Sequence, residues 1–338
     1  MLSSNSLLEV VVNLAFAMMK YTVETVHGHS HSQLEALLED SCDAFDDFIN
    51  LEHTSMGGWS NINIRGQSSG FDFVLKLPAL LEDFTSNPYD KQYELNLFFG
   101  RLDIAPHPIE FGRLSDSVET PFYLVEYVEG TSYSELTDTS ESELLTLKES
   151  LRIMKEQKLS DIPIYETATD LLLANHNGIV THDWLHKASM KTKGLIDQFD
   201  LLFPIVKSLI DVVGYWSQEL IHGDLWIPNV IFRPKQNALL LDFESCAIAD
   251  SRYDLVRLIE GHDEKRIENF PSLFLDQDVN FINSLRPLAT SYVIDWCIER
   301  LLSMESGIVE SNLNTPIIHS MVLDYGQQQI DRLKSLLH

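Results

Sequence analysis

The stretch LIHGDLWIPNVIF, residues 220–232, decides the fold predicted for this chain. An apolar pair leads into His222-Gly223-Asp224, and Asn229 follows Asp224 by five positions before a second apolar run begins. Short apolar runs bounded by turn residues are typical of strands. The pattern therefore predicts an apolar strand that ends in a carboxylate, within a short β segment from Leu220 to Leu241.

A third apolar run, a few residues later, also ends in a carboxylate. Residues 239–241 are three leucines, and the run ends in the tripeptide Asp242-Phe243-Glu244. Two strands that each deliver an acid at the same end of a hairpin place Asp224, Asn229 and Asp242 around one point. Phosphoryl transfer needs such a set: one carboxylate orients the attacking hydroxyl and accepts its proton, while an amide oxygen and a second carboxylate hold Mg²⁺ on the phosphates.

Together these two motifs resemble the catalytic loop and the metal-binding motif of aminoglycoside phosphotransferases and choline or ethanolamine kinases. The resemblance implies an α+β, two-lobed, protein-kinase-like fold with a small antiparallel-sheet N-lobe and a larger, mainly helical C-lobe. It implies that the cofactors are ATP and Mg²⁺. It assigns Asp224 as the catalytic base, Asn229 and Asp242 as metal ligands, and His222 and Glu244 as supporting residues.

A glycine-containing stretch further upstream resembles the nucleotide loop of this family. The stretch SMGGWSN, residues 55–61, lies between strand candidates, and glycine lets the backbone approach phosphates and point N–H groups at them. The resemblance assigns Gly57, Gly58, Ser60 and Asn61 to ATP. By itself, a Gly-Gly turn more often only reverses the chain.

A lysine and a glutamate follow in the order that the resemblance requires. Lys76 ends a β-prone run and resembles the strand lysine that contacts the nucleotide phosphates in kinases. Glu94, on a helix predicted from Asp90 to Arg101, resembles the glutamate that pairs with this lysine. Glu82 is the alternative partner, and an exposed helical glutamate is the simpler interpretation of Glu94.

The run Phe122–Gly130 resembles the hinge between the two lobes. There the backbone groups near Glu126 and Val128 are expected to hydrogen-bond the adenine.

A linker near Glu129 and Gly130 divides the chain into an N-terminal helical extension (1–48), a nucleotide-binding N-lobe (49–128) and a helical C-lobe with the catalytic loop and substrate site (129–338). Because the recognised motifs lie beyond residue 40, we expect a chain without residues 1–40 to fold.

Hydrophobic periodicity predicts the following elements. The strand candidates are Asn61–Arg65, Phe71–Leu77 and Pro121–Val128. Beyond Gly130 the predicted helices are Ser140–Lys158, Leu195–Leu220, Arg252–Gly261, Phe281–Ser303 and Thr315–Leu337. The histidines of His27-Gly28-His29-Ser30-His31 are interpreted as a solvated loop in preference to a metal site, since no carboxylate or thiolate partner accompanies them.

Departures from related families narrow the function. No G-x-x-x-x-G-K-[ST] motif is present, which argues against a P-loop nucleotide fold. A protein kinase is disfavoured, because Gly223 replaces the Arg of H-R-D, Glu244 replaces the Gly of D-F-G, and no A-P-E follows.

Asp242-Phe243-Glu244 and the later Tyr253-Asp254-Leu255 resemble choline and ethanolamine kinases. The alternative from another class is a nucleotide-binding pseudokinase acting as a regulatory or scaffold module, but the intact set of predicted functional residues speaks against it.

Composition constrains the partners of the protein. The 338 residues carry a formal net charge of -27, which repels nucleic acids and anionic membranes and favours a small cationic acceptor; the same acidity could serve only solubility. Three widely spaced cysteines do not form a disulfide framework, which favours the cytoplasm. The apolar run Leu7–Met19 is interrupted by Glu9 and Asn13 and is too short to span a membrane.

The acceptor itself is not predicted by any motif. Side chains of the C-terminal half could meet a cation by charge or by ring face, although most of them are expected to be surface or packing residues. These candidates are Asp183, Trp184, Asp250, Glu260, Asp263, Glu264, Asp295 and Trp296.

Overall fold

A computed structural model describes residues 25–45, 48–56, 58, 60–68, 70–79, 86–115, 119–180, 183–259, 270–274, 277–309 and 312–338. The chain divides into two compact units. The first comprises Met1–Glu129 and Gly307–Ile318, and the second comprises Gly130–Ser306 and His319–His338. None of the described helices is both long and apolar enough to cross a membrane.

The first unit is built on a five-stranded antiparallel sheet with strand order β3-β4-β5-β7-β6. The strands are β3 (Ile49–Ser55), β4 (Asn61–Ser68), β5 (Phe71–Pro78), β6 (Pro108–Arg113) and β7 (Pro121–Glu126). Helix α2 (Tyr89–Gly100) precedes β6. Its residues Tyr89 and Tyr93 pack their rings at 5.4 and 6.4 Å from the ring of Tyr123 on β7.

A short hairpin and a helix precede this sheet. Strands β1 (Thr25–Val26) and β2 (His29–Ser30) pair around a turn in which His27 and Gly28 both have positive φ, the geometry that two-residue hairpins favour. The histidine stretch is therefore a hairpin rather than the predicted loop. Helix α1 (His31–Ser41) then begins at a capping box between Ser30 and Gln33.

Helix α1 covers the edge of the sheet. Leu34 and Leu38 are fully buried, and the carboxylates of Glu35 and Glu39 accept hydrogen bonds from Leu51 N (2.9 Å) and Ile49 N (3.2 Å) of the edge strand β3. Covering an edge strand in this way satisfies groups that otherwise invite aggregation. The folding of a chain without residues 1–40 stays a prediction, but residues 31–40 are part of the packed unit, so their removal takes buried contacts away from the sheet.

The second unit is mainly helical. Its helices are α3 (Glu141–Lys155), α4 (Ala168–Val180), α5 (Met190–Ile210), α6 (Arg252–Leu258), α7 (Pro271–Phe274), α8 (Val279–Ser284), α9 (Arg286–Ser306) and most of α10 (Pro316–Leu336). Two small antiparallel pairs accompany them. One joins β8 (Glu219–Ile221) to β11 (Ala247–Ala249), and the other joins β9 (Val230–Ile231) to β10 (Leu239–Leu240).

Two predicted helices differ from the structure for local reasons. The helix predicted from Leu195 starts five residues earlier, where Ser189 caps α5 by accepting from Thr192 N at 3.2 Å, and it ends at Ile210. The helix predicted from Phe281 is two helices. Asp278 caps the first, α8, and the second, α9, begins at Arg286-Pro287, because proline lacks the N–H that continues a helix but is tolerated in its first turn.

Candidate active site

The loop that carries Asp224 is held from behind by helix α6. The buried carboxylate of Asp254 accepts hydrogen bonds from His222 N (2.8 Å) and Gly223 N (2.9 Å). Burial raises the pKa of Asp254, and the charge of His222 and these two hydrogen bonds offset part of that rise. Gly223 has φ +82°, and a Cβ there would lie 2.1 Å from Ser245 O, so only glycine fits. This backbone requirement explains why no arginine stands at position 223.

His222 and Asn229 connect the two predicted acid-bearing strands. His222 Nε2 lies 2.7 Å from Leu241 O, and Leu241 N donates to Asn229 O at 2.9 Å. The residue after Leu241 is Asp242, so the β9–β10 pairing brings Asn229 and Asp242 to the same end of the hairpin. The structure thus places Asn229 beside Leu241 and Asp242, but the two acid-bearing strands do not form the predicted hairpin: β8, which leads to Asp224, pairs with β11, and β10, which leads to Asp242, pairs with β9.

Asp242 adopts an uncommon backbone conformation. Its φ of 68° and ψ of 73° lie in the left-handed region, and the 3₁₀ turn Phe243–Ser245 follows directly. Phe243 and Glu244 are buried within this turn, whereas Asp242 remains half-buried. Asparagine and aspartate tolerate this region better than most L-residues. The backbone therefore turns sharply at the predicted metal ligand.

The oxygen atoms at the end of the hairpin suit a hard divalent cation. Asn229 Nδ2 donates to Asp224 O at 3.1 Å, which leaves the amide oxygen of Asn229 as its available ligand beside the carboxylate of Asp242. Mg²⁺ is commonly bound by one or two such groups together with phosphate oxygens and water. Within the described ranges no group of three or more His, Cys, Asp or Glu side chains could hold a metal. Asn229 and Asp242 fit a cation of this kind, which takes its remaining ligands from phosphate and water.

Asp224 has a partner that the sequence analysis missed. Arg257 Nη2 contacts Asp224 Oδ1 at 2.5 Å, and the side chains are 8% and 19% exposed respectively. Burial lowers the pKa of Arg257, but the neighbouring Asp224 carboxylate more than reverses this, so its pKa lies above the usual value. Arg257 follows Asp254 by three positions on α6 and therefore lies on the same helix face.

Lys76 lies in the first unit on strand β5. Its side chain is only 8% exposed, and Nζ is 5.3 Å from the ring centroid of Tyr123, the residue paired with Lys76 across β7. A buried ammonium held over an aromatic ring is confined to a narrow range of positions. Its place in the middle of the sheet is that of a positioned residue rather than a solvated surface lysine.

The predicted partner of Lys76 is in a different environment. The side chain of Glu94 is 65% exposed, and its carboxylate contacts Lys91 Nζ at 3.1 Å on the surface of α2. The alternative, Glu82, lies outside the described residues. The pairing of Lys76 with Glu94 thus stays a prediction, and the exposed position of Glu94 favours testing Glu82 beside it.

The predicted nucleotide loop connects β3 and β4. Gly58 has φ +124°, and a Cβ there would lie 2.3 Å from Asn61 O, so the turn requires glycine. Gly57 lies outside the described residues, and Ser60 O accepts from Ala79 N at 3.0 Å. Asn61 is buried, and its side chain accepts a hydrogen bond from Tyr89 OH. The Asn61 side chain therefore supports the loop from inside.

The predicted hinge follows strand β7. Glu126 N donates to His107 O at 2.9 Å, and the Glu126 carboxylate accepts from His107 N at 2.9 Å. Val128 is half-buried and stands one residue before the end of the first unit's main segment. The amide of Glu126 is thus already paired within the first unit, and the adenine contacts of Glu126 and Val128 stay a prediction.

The acidic candidates for meeting a cation have different partners in the second unit. Asp250 is fully buried and bound to Arg252, and Glu260, Asp263 and Glu264 lie outside the described residues. Asp295 Oδ1 contacts His176 Nδ1 at 3.1 Å, and burial raises the pKa of Asp295 to about 6. Asp250 is thus already neutralised, whereas Asp295 keeps an oxygen without a hydrogen bond.

Helix α9 also presents an acid that the sequence analysis missed. Between Arg286 and Met304 the residues that are only half-buried are Tyr292, Trp296 and Glu299, at i, i+4 and i+7 on one face. Burial raises the pKa of Glu299 to about 7, with Arg300 opposing and Asp295 adding to the rise. At the start of this stripe, the ring of Tyr292 lies 4.5 Å from the guanidinium of Arg257.

Residues 165–278 match the model of a family described as the phosphotransferase enzyme family (APH), which confirms the resemblance inferred from the motifs. No curated protein sequence matches the chain. Among solved structures, the choline kinase LicA from Streptococcus pneumoniae is 16% identical, with a TM-score of 0.59 over 85% of this chain and 92% of that one.

Two further solved structures are similar. A spectinomycin phosphotransferase in complex with ADP and spectinomycin is 13% identical, with a TM-score of 0.56 over 90% of this chain and 98% of that one. A choline/ethanolamine kinase family protein from Mesorhizobium loti is 12% identical, with a TM-score of 0.55 over 86% and 88% of the two chains. These likenesses confirm the predicted α+β, protein-kinase-like fold.

Proposed function

We propose, with the match of residues 165–278 to the phosphotransferase enzyme family as the premise, that this chain is an ATP- and Mg²⁺-dependent small-molecule kinase. It transfers the γ-phosphate to a hydroxyl group of a small, cationic acceptor. The observation that carries the proposal is the joint placement of Asp224, Asn229 and Asp242 at one end of the β9–β10 hairpin, held by Asp254 and His222.

Each of these residues has a role that its chemistry supports. Asp224 accepts the proton of the acceptor hydroxyl as the oxygen attacks, and a positioned carboxylate contributes typically 10²–10⁴-fold to such a step. Asn229 and Asp242 hold Mg²⁺, which neutralises the charge on the transferring phosphate. Lys76 orients the phosphates with Glu94 or Glu82 as its partner, and the loop at Gly57, Gly58 and Ser60 covers them.

The surroundings of the base support a cationic acceptor. The half-buried stripe of Tyr292, Trp296 and Glu299 runs along α9 for about 10 Å, at 1.5 Å per residue, from the pair of Asp224 and Arg257. Aromatic faces and a carboxylate are the groups that bind ammonium ions. With the net charge of -27 they favour an amine-bearing alcohol over a simple sugar or carboxylate.

The compartment proposed for this activity is the cytoplasm. Cys42, Cys246 and Cys297 are free and buried. Free thiols are typical of proteins in a reducing environment, where ATP is also available.

An acceptor screen tests the proposed activity. ATP consumption is measured against aminoglycosides, choline, ethanolamine, homoserine, methylthioribose, fructosamines and a macrolide, with an Asp224→Asn variant as the matched control. We expect turnover with a cationic member of this set, and kcat/KM should fall as NaCl rises, because salt screens steering over about 8 Å at physiological ionic strength. A neutral or anionic acceptor contradicts the cationic assignment alone.

The Asp224→Asn variant also separates the kinase from a pseudokinase. It should lose turnover yet bind Mg-ATP within a few-fold of the wild type, because the base contacts the acceptor rather than the nucleotide. Turnover within tenfold of the wild type, about 1.4 kcal/mol of barrier, contradicts the role of Asp224. Mg-ATP binding without any acceptor-dependent ATP consumption across the screen supports the pseudokinase alternative instead.

A further inference from the structure

Helix α6 holds the catalytic loop by two side chains one turn apart. Asp254 fixes the backbone at His222 and Gly223, and Arg257 contacts the carboxylate of Asp224 itself. We infer that Arg257 is a positioning residue for the proposed base: it binds Oδ1 of Asp224 and so presents the other oxygen to the acceptor hydroxyl. This inference rests on the proposed function.

The position of Arg257 is itself fixed by a chain of contacts. Its guanidinium lies 4.5 Å from the ring of Tyr292 on α9, and Tyr292 OH lies 3.2 Å from Ser245 Oγ. Ser245 ends the turn that follows Asp242. The contacts therefore connect the carboxylate of the base, through an arginine and a tyrosine, to the turn that carries the metal ligand.

Burial makes this contact specific. With 8% of its side chain exposed, Arg257 cannot exchange freely between Asp224 and water. The carboxylate of an unbound aspartate rotates over a broad, roughly two-fold range about its terminal bond, whereas one bound through a single oxygen keeps the other in a fixed direction. Misplacement of a reacting group by about 1 Å can cost about 10²-fold in rate. Arg257 therefore contributes to kcat without contacting the acceptor.

The same helix offers a matched control. Arg252 also pairs with a buried carboxylate, with Nε 2.7 Å from Asp250 Oδ1, and its guanidinium lies 3.4 Å from the ring of Phe281. The pair resembles that of Arg257 in chemistry and aromatic contact, with the arginine 21% exposed and the acid 0% instead of 8% and 19%, and none of the contacts described for it involves the catalytic loop. Equivalent substitutions at the two positions separate loss of a buried ion pair from loss of positioning.

The experiment compares Arg257→Gln and Arg257→Lys with Arg252→Gln and Arg252→Lys, using the acceptor found in the screen and saturating Mg-ATP. Arg257→Gln should lower kcat about 10²-fold with the acceptor KM within about threefold, and Arg257→Lys should restore part of the loss. The Arg252 variants should keep kcat within about threefold. Melting curves and Mg-ADP binding establish that each variant is folded.

The separation of kcat from stability is the deciding readout. Loss of a buried ion pair alone lowers the melting temperature and leaves kcat within about threefold, whereas loss of positioning lowers kcat as well. If kcat in the Arg257 variants matches kcat in the Arg252 variants, the inference is wrong. If Asp224→Asn remains active, the proposed function fails instead.

Discussion

Substitution of Glu299 by glutamine should stabilise the protein at alkaline pH and weaken its binding of a cationic acceptor. Burial on α9 raises the pKa of Glu299 from 4.5 to about 7. The native protein therefore binds this proton below about pH 7, and the unfolded chain binds it only below about 4.5. Stability due to this group is fully present at low pH and declines as the pH rises from 4.5 to 7.

The size of the effect follows from the pKa shift. Each pKa unit corresponds to about 1.4 kcal/mol, so a shift of this size costs the ionised wild type about 3 kcal/mol at pH 8 as an upper limit. Glutamine carries no charge and avoids this cost. For a unit of about 200 residues, a gain of 3 kcal/mol raises Tm by roughly 6–12 °C, and incomplete burial reduces it.

The assay is a series of melting curves from pH 4.5 to 8.5. Glu299→Gln should melt with the wild type at the acid end and above it at pH 8. Glu305→Gln on the same helix should have the opposite effect on stability. Hydrogen bonds from Ser189, Thr192 and His319 outweigh burial and lower the pKa of Glu305, so replacing its carboxylate should destabilise the protein at pH 8. Equal Tm for Glu299→Gln and wild type throughout the range refutes the reasoning. The KM of Glu299→Gln for the acceptor should rise at pH 8 if the stripe of Tyr292, Trp296 and Glu299 binds the cationic acceptor.

Three other predictions concern the nucleotide site and the N-terminal segment. Asp242→Ala should lose Mg²⁺-dependent nucleotide binding and turnover together, as measured by Mg-ADP titration; unchanged Mg²⁺ dependence points to another carboxylate. Double-mutant cycles of Lys76→Ala with Glu94→Ala and with Glu82→Ala should show coupling in ATP KM for the true partner, and effects additive within about 0.5 kcal/mol exclude a pairing. Deleting residues 1–40 should lower Tm, because the buried face of α1 and its bonds to strand β3 are lost; an unchanged melt contradicts that role.

The catalytic loop could be predicted because its chemistry is local in sequence. His222, Asp224 and Asn229 lie within eight positions, and Asp242 follows at the end of the adjacent apolar run. Such spacings survive folding, because a hairpin keeps neighbouring residues together. The same holds for Lys76, whose β-prone run is a strand in the structure.

Other residues of the site could not be predicted from local sequence patterns. Arg257 is separated from Asp224 by 33 positions, and a single arginine on a helix has no signal of its own. The sequence analysis noted Asp254 in the run Tyr253-Asp254-Leu255 but not Arg257, and the spacing of three between them was the available clue. Glu299 is similar, since its helix is buried on nearly every face and only packing decides which side chains stay accessible.

The prediction for Asn61 shows a different limit. The sequence placed it in the nucleotide loop, and the structure turns its side chain inward to Tyr89 on α2. Which side of a loop an amide faces depends on the tertiary partner that reaches it. Motifs therefore locate the loop better than they locate its individual contacts.

The left-handed backbone at Asp242 has a consequence for how this protein could lose activity in evolution. Glycine and asparagine occupy that conformation at least as readily as aspartate, so the polypeptide would accept either replacement with little disturbance to folding. A single substitution there could thus turn an enzyme into a stably folded but inactive protein in one step. Among relatives that share this turn, the residue at the corresponding position would be a simple marker of which ones still transfer phosphate.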